Sequence, residues 1–297
     1  MHAMPNTPVT LPHHKLRWEV AFVLVAALWG WSYVAVHDAL KELSDSAFNA
    51  YRFLVAAAVL LLPLLAREKV VSKTDVLQGV GAGLALYLAF LFQTKGLKFT
   101  SASNVAFITG LAVIFTPIFL WIGFKTRPQR LQMFGAVLAT TGLGLMTLKG
   151  LNVEPGDLLA LLGAAAFALH IILLGRASKV ADIFNITFIQ ILVVGILSLA
   201  QGLVFQEFSV PHGAVAIRAV VIVGILGTAL AFYVQTKAQV ASSANTIALI
   251  IVLEPLFGGL FGYLLAGDRL TVVNWVGAVF IVAGVLVAEV HFAQRVR

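Results

Sequence analysis

The sequence predicts an all-α integral membrane protein with ten transmembrane helices. Hydrophobic residues make up 60% of the chain and charged residues only 11%, and the mean hydropathy is +0.98, a composition far from that of soluble globular proteins. Apolar stretches of about 20 residues recur along the chain, each long enough to cross a hydrocarbon core of about 30 Å. The alternating pattern of an outer-membrane β-barrel is absent from the sequence.

The expected spans follow one another with short polar connections. They lie near residues 18–38, 46–66, 75–97, 101–124, 129–149, 156–177, 182–206, 214–238, 243–266 and 271–292. The first is too long for the apolar core of a signal peptide, so we expect it to remain in the mature protein.

The basic residues predict the orientation of these spans. With the N-terminus inside, thirteen of the 20 Lys and Arg residues fall in inner connections and six in outer ones, while Arg52 lies within the second span. The positive-inside rule therefore places both termini in the cytoplasm. We accordingly assign the net charge of +7 to a multi-pass protein of the plasma membrane, here a bacterial inner membrane, and not to nucleic-acid binding. The chain has no cysteine, and we expect neither a metal nor a cofactor.

Internal similarity divides the chain into two repeats. "FQTKGLKFTSAS" at 92–103 resembles "VQTKAQVASSAN" at 234–245, and "GAVLATTG" at 135–142 matches "GAVFIVAG" at 277–284, both at an offset of 142 residues. A weaker match at an offset of 138 lays "AALWGWS" on "AAAFALH". Five-helix repeats over 18–150 and 155–292 would have opposite orientations, because five is odd. Inverted repeats around a central cavity are typical of secondary transporters.

The stretch "VLEPLFGG" at 252–259 contains two residues that a membrane helix accepts poorly. A charged group near the midplane costs about 3 kcal/mol, and Pro255 cannot donate its backbone hydrogen bond. We therefore predict a helix break at Pro255 beside a polar space, with Pro117 as the corresponding break in the first repeat. Glu254 has three open roles: it props the break, contacts substrate, or carries a proton.

Other polar and aromatic residues at depth are further candidates for the cavity. His170 is the only histidine well inside a predicted span; it is either a proton relay or ligand-binding group, or a satisfied interior residue. Asn104 and Asn245 either cap helix ends or bind a substrate leaving the pore. Trp29, Tyr87 and Tyr233 either line a midplane pocket or serve plain packing. The full set of substrate-cavity candidates is Trp29, Ser32, Tyr87, Asn104, His170, Tyr233, Asn245 and Glu254.

Two further features have mainly structural interpretations. We interpret Arg52 as reaching the outer interface or pairing with Asp38 or Asp45, in preference to substrate binding. Small residues in the fifth and tenth spans have the spacing for close helix approach, so these spans pack together or form a homodimer contact; a monomer or a weak homodimer is expected. The small residues are Gly135, Ala139, Gly142, Gly277 and Gly284.

Nearly the whole chain resembles the EamA branch of the drug/metabolite transporter superfamily. The resemblance rests on the two five-helix repeats, the Trp-Gly pair in "ALWGWSYV" of the first span, and the Leu-Glu-Pro in "VLEPLFGGLFGYLLAGDRL" of the ninth. It implies the family's fold of ten helices, with the third and fourth helices of each half near a central cavity. It also implies export of amino acids or other small metabolites.

The leading function is a secondary exporter of small amphipathic metabolites, most simply amino acids, aromatic ones among them. Efflux of lipophilic cations is the alternative, because aromatics and one acid suit such cations as well. Phosphorylated substrates are disfavoured, since only one cation lies within a span. An intramembrane enzyme is the remote rival, and no nucleotide-binding GxxxxGK[ST] motif is present. Proton coupling stays open; the partners are a small molecule and the lipid bilayer.

Overall fold

The computed structural model describes residues 12–100, 105, 108–147, 154–205, 207–265 and 271–295. Every regular element within these ranges is a helix, which confirms the all-α class. The helices are α1 (Pro12–Ala39), α2 (Asp45–Leu65), α3 (Lys73–Gly96), α4 (Ala112–Phe124), α5 (Arg130–Thr147), α6 (Pro155–Ala177), α7 (Ile183–Val204), α8 (Ala214–Ala241), α9 (Ala244–Ile251), α10 (Leu253–Leu265) and α11 (Val272–Arg295).

Five of the described helices are long and apolar enough to cross a membrane, namely α2, α3, α6, α7 and α8. Shorter apolar helical segments occupy Ile108–Phe124, Ala244–Gly258 and Val272–Gly284. These helices overlap the apolar stretches identified from the sequence, and at five of the ten expected spans the helix has the length and apolar composition needed to cross a membrane.

Helices of the two sequence halves pack mainly against each other. Helix α3 packs on α6 and α7, α2 packs on α7, α5 packs on α11, and α1 packs on α8 and α10. Contacts between helices of the same half are sparser. The core therefore lies between the halves, where a shared cavity can form.

Small residues bring α5 and α11 into close contact within the chain. A Cβ atom added at Gly142 would lie 2.4 Å from the carbonyl oxygen of Gly277, and one added at Gly284 would lie 2.6 Å from that of Gly135. Such distances leave no room for a side chain, so the two helices cross backbone against backbone. The small residues serve this internal packing.

The ninth apolar stretch is interrupted at Val252, between α9 and α10. Pro255 is the third residue of α10, in the first turn, where a missing backbone N–H costs little. The expected break at Pro117 is wrong: α4 continues through it, and the interruption lies at Leu111, just before α4. The two interruptions, at 111 and 252, therefore fall at nearly equivalent places in the two repeats.

Candidate functional site

A cavity lies between the two halves of the chain. Its walls come from α1, α2, α3 and the region of Thr109 and Ala112 in the first half, and from α6, α8, α9 and α10 in the second. Its polar side chains are Ser32, Arg52, Gln93, Thr94, Thr109, His170, Gln235 and Glu254. The remaining wall is apolar and largely aromatic, with Trp29, Phe90, Phe167 and Phe232. Mostly apolar walls with a few convergent polar groups are typical of small-molecule sites.

The structure places four of the candidate residues at this cavity and leaves three away from it. Trp29, Ser32, His170 and Glu254 line the wall, whereas Tyr87, Tyr233 and Asn245 do not. The remaining candidate, Asn104, lies outside the described residues.

The three residues away from the cavity have other contacts. The Tyr87 hydroxyl donates to Gln201 Oε1 at 3.0 Å. The Tyr233 ring packs edge-on against Phe184. Asn245 is not the N-cap of α9, because that role belongs to Ser243; its Nδ2 donates instead to Gln132 Oε1 at 3.0 Å. These side chains join helices at a distance from the cavity wall.

A Tyr87→Phe substitution tests this placement. It removes one hydrogen bond between α3 and α7, so we expect a loss of about 1 kcal/mol in stability and, for the transport that the sequence predicts, a KM within about twofold of native. The matched Trp29→Phe variant changes the wall itself and is expected to raise KM. Thermal unfolding and transport kinetics on both variants check this; a large KM change in Tyr87→Phe alone would contradict the placement.

Arg52 lines the cavity, contrary to its interpretation as an interfacial residue. Its side chain is only 5% exposed, and its Nε donates to Thr228 Oγ1 at 2.7 Å. Of the two acids proposed as its partners, Asp38 forms an ion pair with Lys41 and Asp45 forms one with Lys98. Arg52 is therefore a buried cation at the interface of the two halves.

A π-helical segment of α8, Ile225–Leu230, supplies the groups that hold this region together. Thr228 Oγ1 donates to Val223 O at 2.9 Å, five residues earlier. Gly227 O accepts from Trp29 Nε1 at 2.7 Å and has a longer contact of 3.5 Å to Arg52 Nη2. Such π-helical segments displace carbonyls from the regular ladder and occur frequently at functional sites.

His170 is fully buried at the cavity wall and is hydrogen-bonded to α7. Its Nε2 lies 2.9 Å from Gln190 Oε1, and its ring stands edge-on to Phe232. With the amide in this orientation the oxygen accepts, which places the imidazole proton on Nε2. At an offset of 138 residues, His170 and Gln190 correspond to Ser32 and Arg52, so the two halves present different polar pairs at equivalent places.

Glu254 is half-buried in the first turn of α10, beside α1. A Cβ atom added at Gly30 would lie 2.5 Å from the Glu254 carbonyl oxygen and 2.7 Å from the Gly258 nitrogen. The Trp-Gly pair and the Leu-Glu-Pro triplet, far apart in sequence, are therefore in direct contact. This contact positions Trp29 and Glu254 on the same cavity.

The aromatic wall was largely missed by sequence reasoning. Trp29 and Phe232 have ring centroids 5.5 Å apart, and Phe90 and Phe167 are 5.3 Å apart. Phe232 is the neighbour of the candidate Tyr233, and Phe90 lies one turn from the candidate Tyr87. The sequence indicated the correct depth in α3 and α8 but the wrong side chain at that depth.

Two polar clusters join the halves outside the cavity. In the first, Asp182 accepts from both Arg67 Nη1 at 2.9 Å and Nη2 at 3.0 Å, and from Lys69 Nζ at 2.9 Å. The backbone N–H of Asp182 donates to Asp75 Oδ1 at 2.7 Å. Burial alone would raise the pKa of Asp182, but the hydrogen bonds from Arg67 and Lys69 outweigh it and hold that pKa well below its usual value.

The second cluster joins the α1–α2 connection to the α7–α8 connection. Glu42 Oε1 accepts from the backbone N–H groups of Gly213, at 2.6 Å, and His212. The backbone N–H of Ser44 donates to Ser209 Oγ at 2.9 Å. Ser44 and Asp182 are the N-caps of α2 and α7 and correspond at an offset of 138, so the two clusters occupy equivalent positions in the two repeats.

Among the described residues no group of three or more His, Cys, Asp or Glu side chains could hold a metal ion. The polar groups of the cavity are instead a guanidinium, a carboxyl, an imidazole, amides and hydroxyls. This set can bind a small polar molecule through charge and hydrogen bonds while the aromatic rings contact its apolar part.

Apolar helices of membrane length around a cavity shared by both sequence halves define a polytopic membrane transporter. The chain belongs to the EamA-like transporter family, whose model matches residues 16–148 and 154–289. It is 30% identical over 278 residues to an uncharacterized transporter of Archaeoglobus fulgidus, covering 93% of this chain and 87% of that protein. It is 25% identical to the uncharacterized transporter YcxC of Bacillus subtilis, covering 96% of each chain. A crystal structure with 18% sequence identity has the same fold, with a TM-score of 0.77 over 94% of this chain and 98% of that one.

Proposed function

We propose that this EamA-family transporter is a secondary exporter of amino acids and similar small amphipathic metabolites. The observation that carries the proposal is the cavity itself, in which a cation, a carboxyl and four aromatic rings share one wall built from both halves. A zwitterion with an apolar side chain matches each of these groups: its charges meet Arg52 and Glu254, and its side chain contacts the rings.

Alternating access between two inverted five-helix halves is the mechanism we propose. Helix contacts between the halves occur in equivalent pairs, since α3 packs on α6 as α1 packs on α8, and α4 packs on α6 as α10 packs on α1. The two interruptions at 111 and 252 support the same pseudo-twofold relation. Ten spans with cytoplasmic termini in a bacterial inner membrane complete this proposal.

In such a cycle the two polar clusters act as gates, each closing the cavity towards one face of the membrane. The Asp182 cluster and the Glu42 cluster join the halves at equivalent sites, which inverted repeats place at opposite membrane faces. Opening the cavity to one face requires the hydrogen bonds of that face's cluster to break while those of the other persist. The energy comes from gradients, and Glu254 is the group whose protonation would couple transport to protons.

The proposal is tested by uptake of labelled aromatic and aliphatic amino acids into proteoliposomes, with and without an imposed pH gradient. We expect saturable uptake by the native protein and a loss of about tenfold or more in Glu254→Gln, because a charged hydrogen-bond partner of the ammonium is removed. Glu207→Gln, an exposed acid outside the cavity, is the matched control and should transport normally.

Each result has a distinct meaning. Uptake that the gradient drives and Glu254→Gln uncouples makes Glu254 a proton carrier. Uptake that neither change affects leaves Glu254 as a structural prop of the helix break. If no amino acid is taken up, the proposed substrate class is wrong.

Efflux of lipophilic cations is the second candidate, favoured by Glu254 within the same aromatic wall. Saturable uptake of several unrelated lipophilic cations, abolished in Glu254→Gln, would support it. An enzymatic function finds no support in the family or in the relatives, which are transporters.

A further inference from the structure

We propose that Arg52 binds a carboxylate of the transported molecule and that Thr228, in the π-helical segment of α8, positions it. This inference rests on the proposed function, since it specifies which part of the substrate the site requires. Ionisable residues buried within membrane bundles are rare and mark substrate or ion pathways. Arg52 is such a residue, 5% exposed and at the cavity wall.

The guanidinium is held in a defined orientation. The Thr228 hydroxyl hydrogen is committed to Val223 O, so its oxygen accepts from Arg52 Nε at 2.7 Å. The guanidinium carbon lies 4.7 Å from the centroid of the Phe90 ring and 5.2 Å from that of Phe53. Arg52 is thus fixed from its Nε side, against a ring that itself lines the cavity.

The π-helical segment supplies both contacts of this arrangement. Val223 O accepts from the Thr228 side chain, and Gly227 O accepts from Trp29. One segment of α8 therefore anchors α1 and α2 beside the same cavity. Thr228 acts through Arg52 and is a positioning residue.

The chemistry of this anchor favours a carboxylate over other groups. Guanidinium and carboxylate have matching planar geometries and form paired hydrogen bonds. Among the described residues that line the cavity, Arg52 is the only Lys or Arg, and a single cation suits a monoanion better than a phosphate dianion. A lipophilic cation can pair with Glu254 but has no group for Arg52, whereas the zwitterion of an amino acid offers an ammonium to Glu254 and a carboxylate to Arg52.

The test compares three ligands that differ by one group each: phenylalanine, phenethylamine, which lacks the carboxylate, and 3-phenylpropionate, which lacks the amine. Competition against labelled phenylalanine in proteoliposomes gives KM or Ki for each, in native protein and in Arg52→Gln, Arg52→Lys, Thr228→Val and Thr228→Ser. Thermal unfolding of each purified variant, with and without ligand, separates loss of binding from loss of fold.

We expect Arg52→Gln to weaken phenylalanine binding about 10- to 100-fold and phenethylamine binding by less than about threefold, because only the former uses the guanidinium. Arg52→Lys should recover part of the loss, since lysine retains the positive charge but lacks the two parallel N–H donors of the guanidinium. Thr228→Val should weaken phenylalanine binding about tenfold, and Thr228→Ser should restore it. A purely structural role would move both ligands alike.

The outcomes separate this proposal from the one on which it rests. Phenylalanine transport that Arg52→Gln leaves unchanged would overturn the assignment of Arg52 and leave amino-acid transport standing. Arg52-dependent binding of 3-phenylpropionate without phenylalanine transport would support Arg52 and overturn the amino-acid substrate. Three results would overturn the carboxylate proposal. The first is an equal loss of phenylalanine and phenethylamine binding in Arg52→Gln, and the second is tighter binding of phenethylamine than of phenylalanine by the native protein. The third is that none of the standard amino acids or their deaminated acids stabilises the protein.

Discussion

Replacing Gly30 with alanine is expected to destabilise the protein and abolish transport. The added Cβ would lie 2.5 Å from Glu254 O, 2.7 Å from Gly258 N and 3.0 Å from Phe257 Cβ. Two of these atoms belong to the backbone of α10 and cannot rotate away. Overpacking of this kind costs about 3 kcal/mol, and relieving it moves α10, which carries Glu254, away from α1.

A matched control is available on α3. Gly81 is also helical, but an added Cβ there meets no atom within 4 Å, so Gly81→Ala should be neutral or slightly stabilising. Thermal unfolding in detergent should show a fall in apparent Tm of roughly 6 °C or more for Gly30→Ala. If Gly30→Ala were as stable and active as Gly81→Ala, the close crossing of α1 and α10 would be incorrect.

Replacing Asp182 with alanine is expected to have the second-largest effect on stability. The carboxylate accepts from Arg67, Lys69 and the backbone N–H groups of Phe184 and Asn185. Its loss removes the N-cap of α7 and leaves Arg67 without its paired acceptor. Because Arg67 and Lys69 are partly exposed, solvent screening reduces the cost to about 2 kcal/mol.

Asp182→Asn separates the cap from the charge, because the amide oxygen can still cap α7. Its stability should lie between those of the native protein and Asp182→Ala. The matched control is Asp38→Asn, which removes an exposed ion pair with Lys41 and should cost little. Equal stability of the native protein and Asp182→Ala would contradict a role for this cluster in joining the halves.

The stabilisation from Asp182 is expected to depend on pH in a defined direction. Its pKa in the folded protein lies below its usual value, because the hydrogen bonds from Arg67 and Lys69 outweigh burial. The carboxylate therefore contributes its full stabilisation above about pH 4, the pKa of an unfolded Asp, and loses it as the pH falls towards the folded value. The difference in apparent Tm between native and Asp182→Asn should be constant from about pH 8 to 5 and shrink below about 4.

The amino-acid sequence by itself determined the class of the protein, because hydropathy is a local property that a run of apolar residues reports directly. It also identified the family and four residues of the cavity wall, Trp29, Ser32, His170 and Glu254. A carboxyl or imidazole deep in an apolar span is unfavourable against lipid, so its presence alone indicates a polar interior.

Only the tertiary structure decided which face of each helix meets the cavity. Lipid and the bundle interior are both apolar, so a membrane helix lacks the amphipathic pattern that orients a soluble one. The sequence therefore favoured Tyr87 and Tyr233, whereas Phe90 and Phe232 line the wall. Arg52 was placed at the interface because its depth, counted along α2, is shallow. The π-helical segment of α8 holds the Arg52 side chain in the cavity through Thr228 and Gly227. Both residues lie 175 or more positions from Arg52 in the chain, so no local sequence pattern could reveal these contacts.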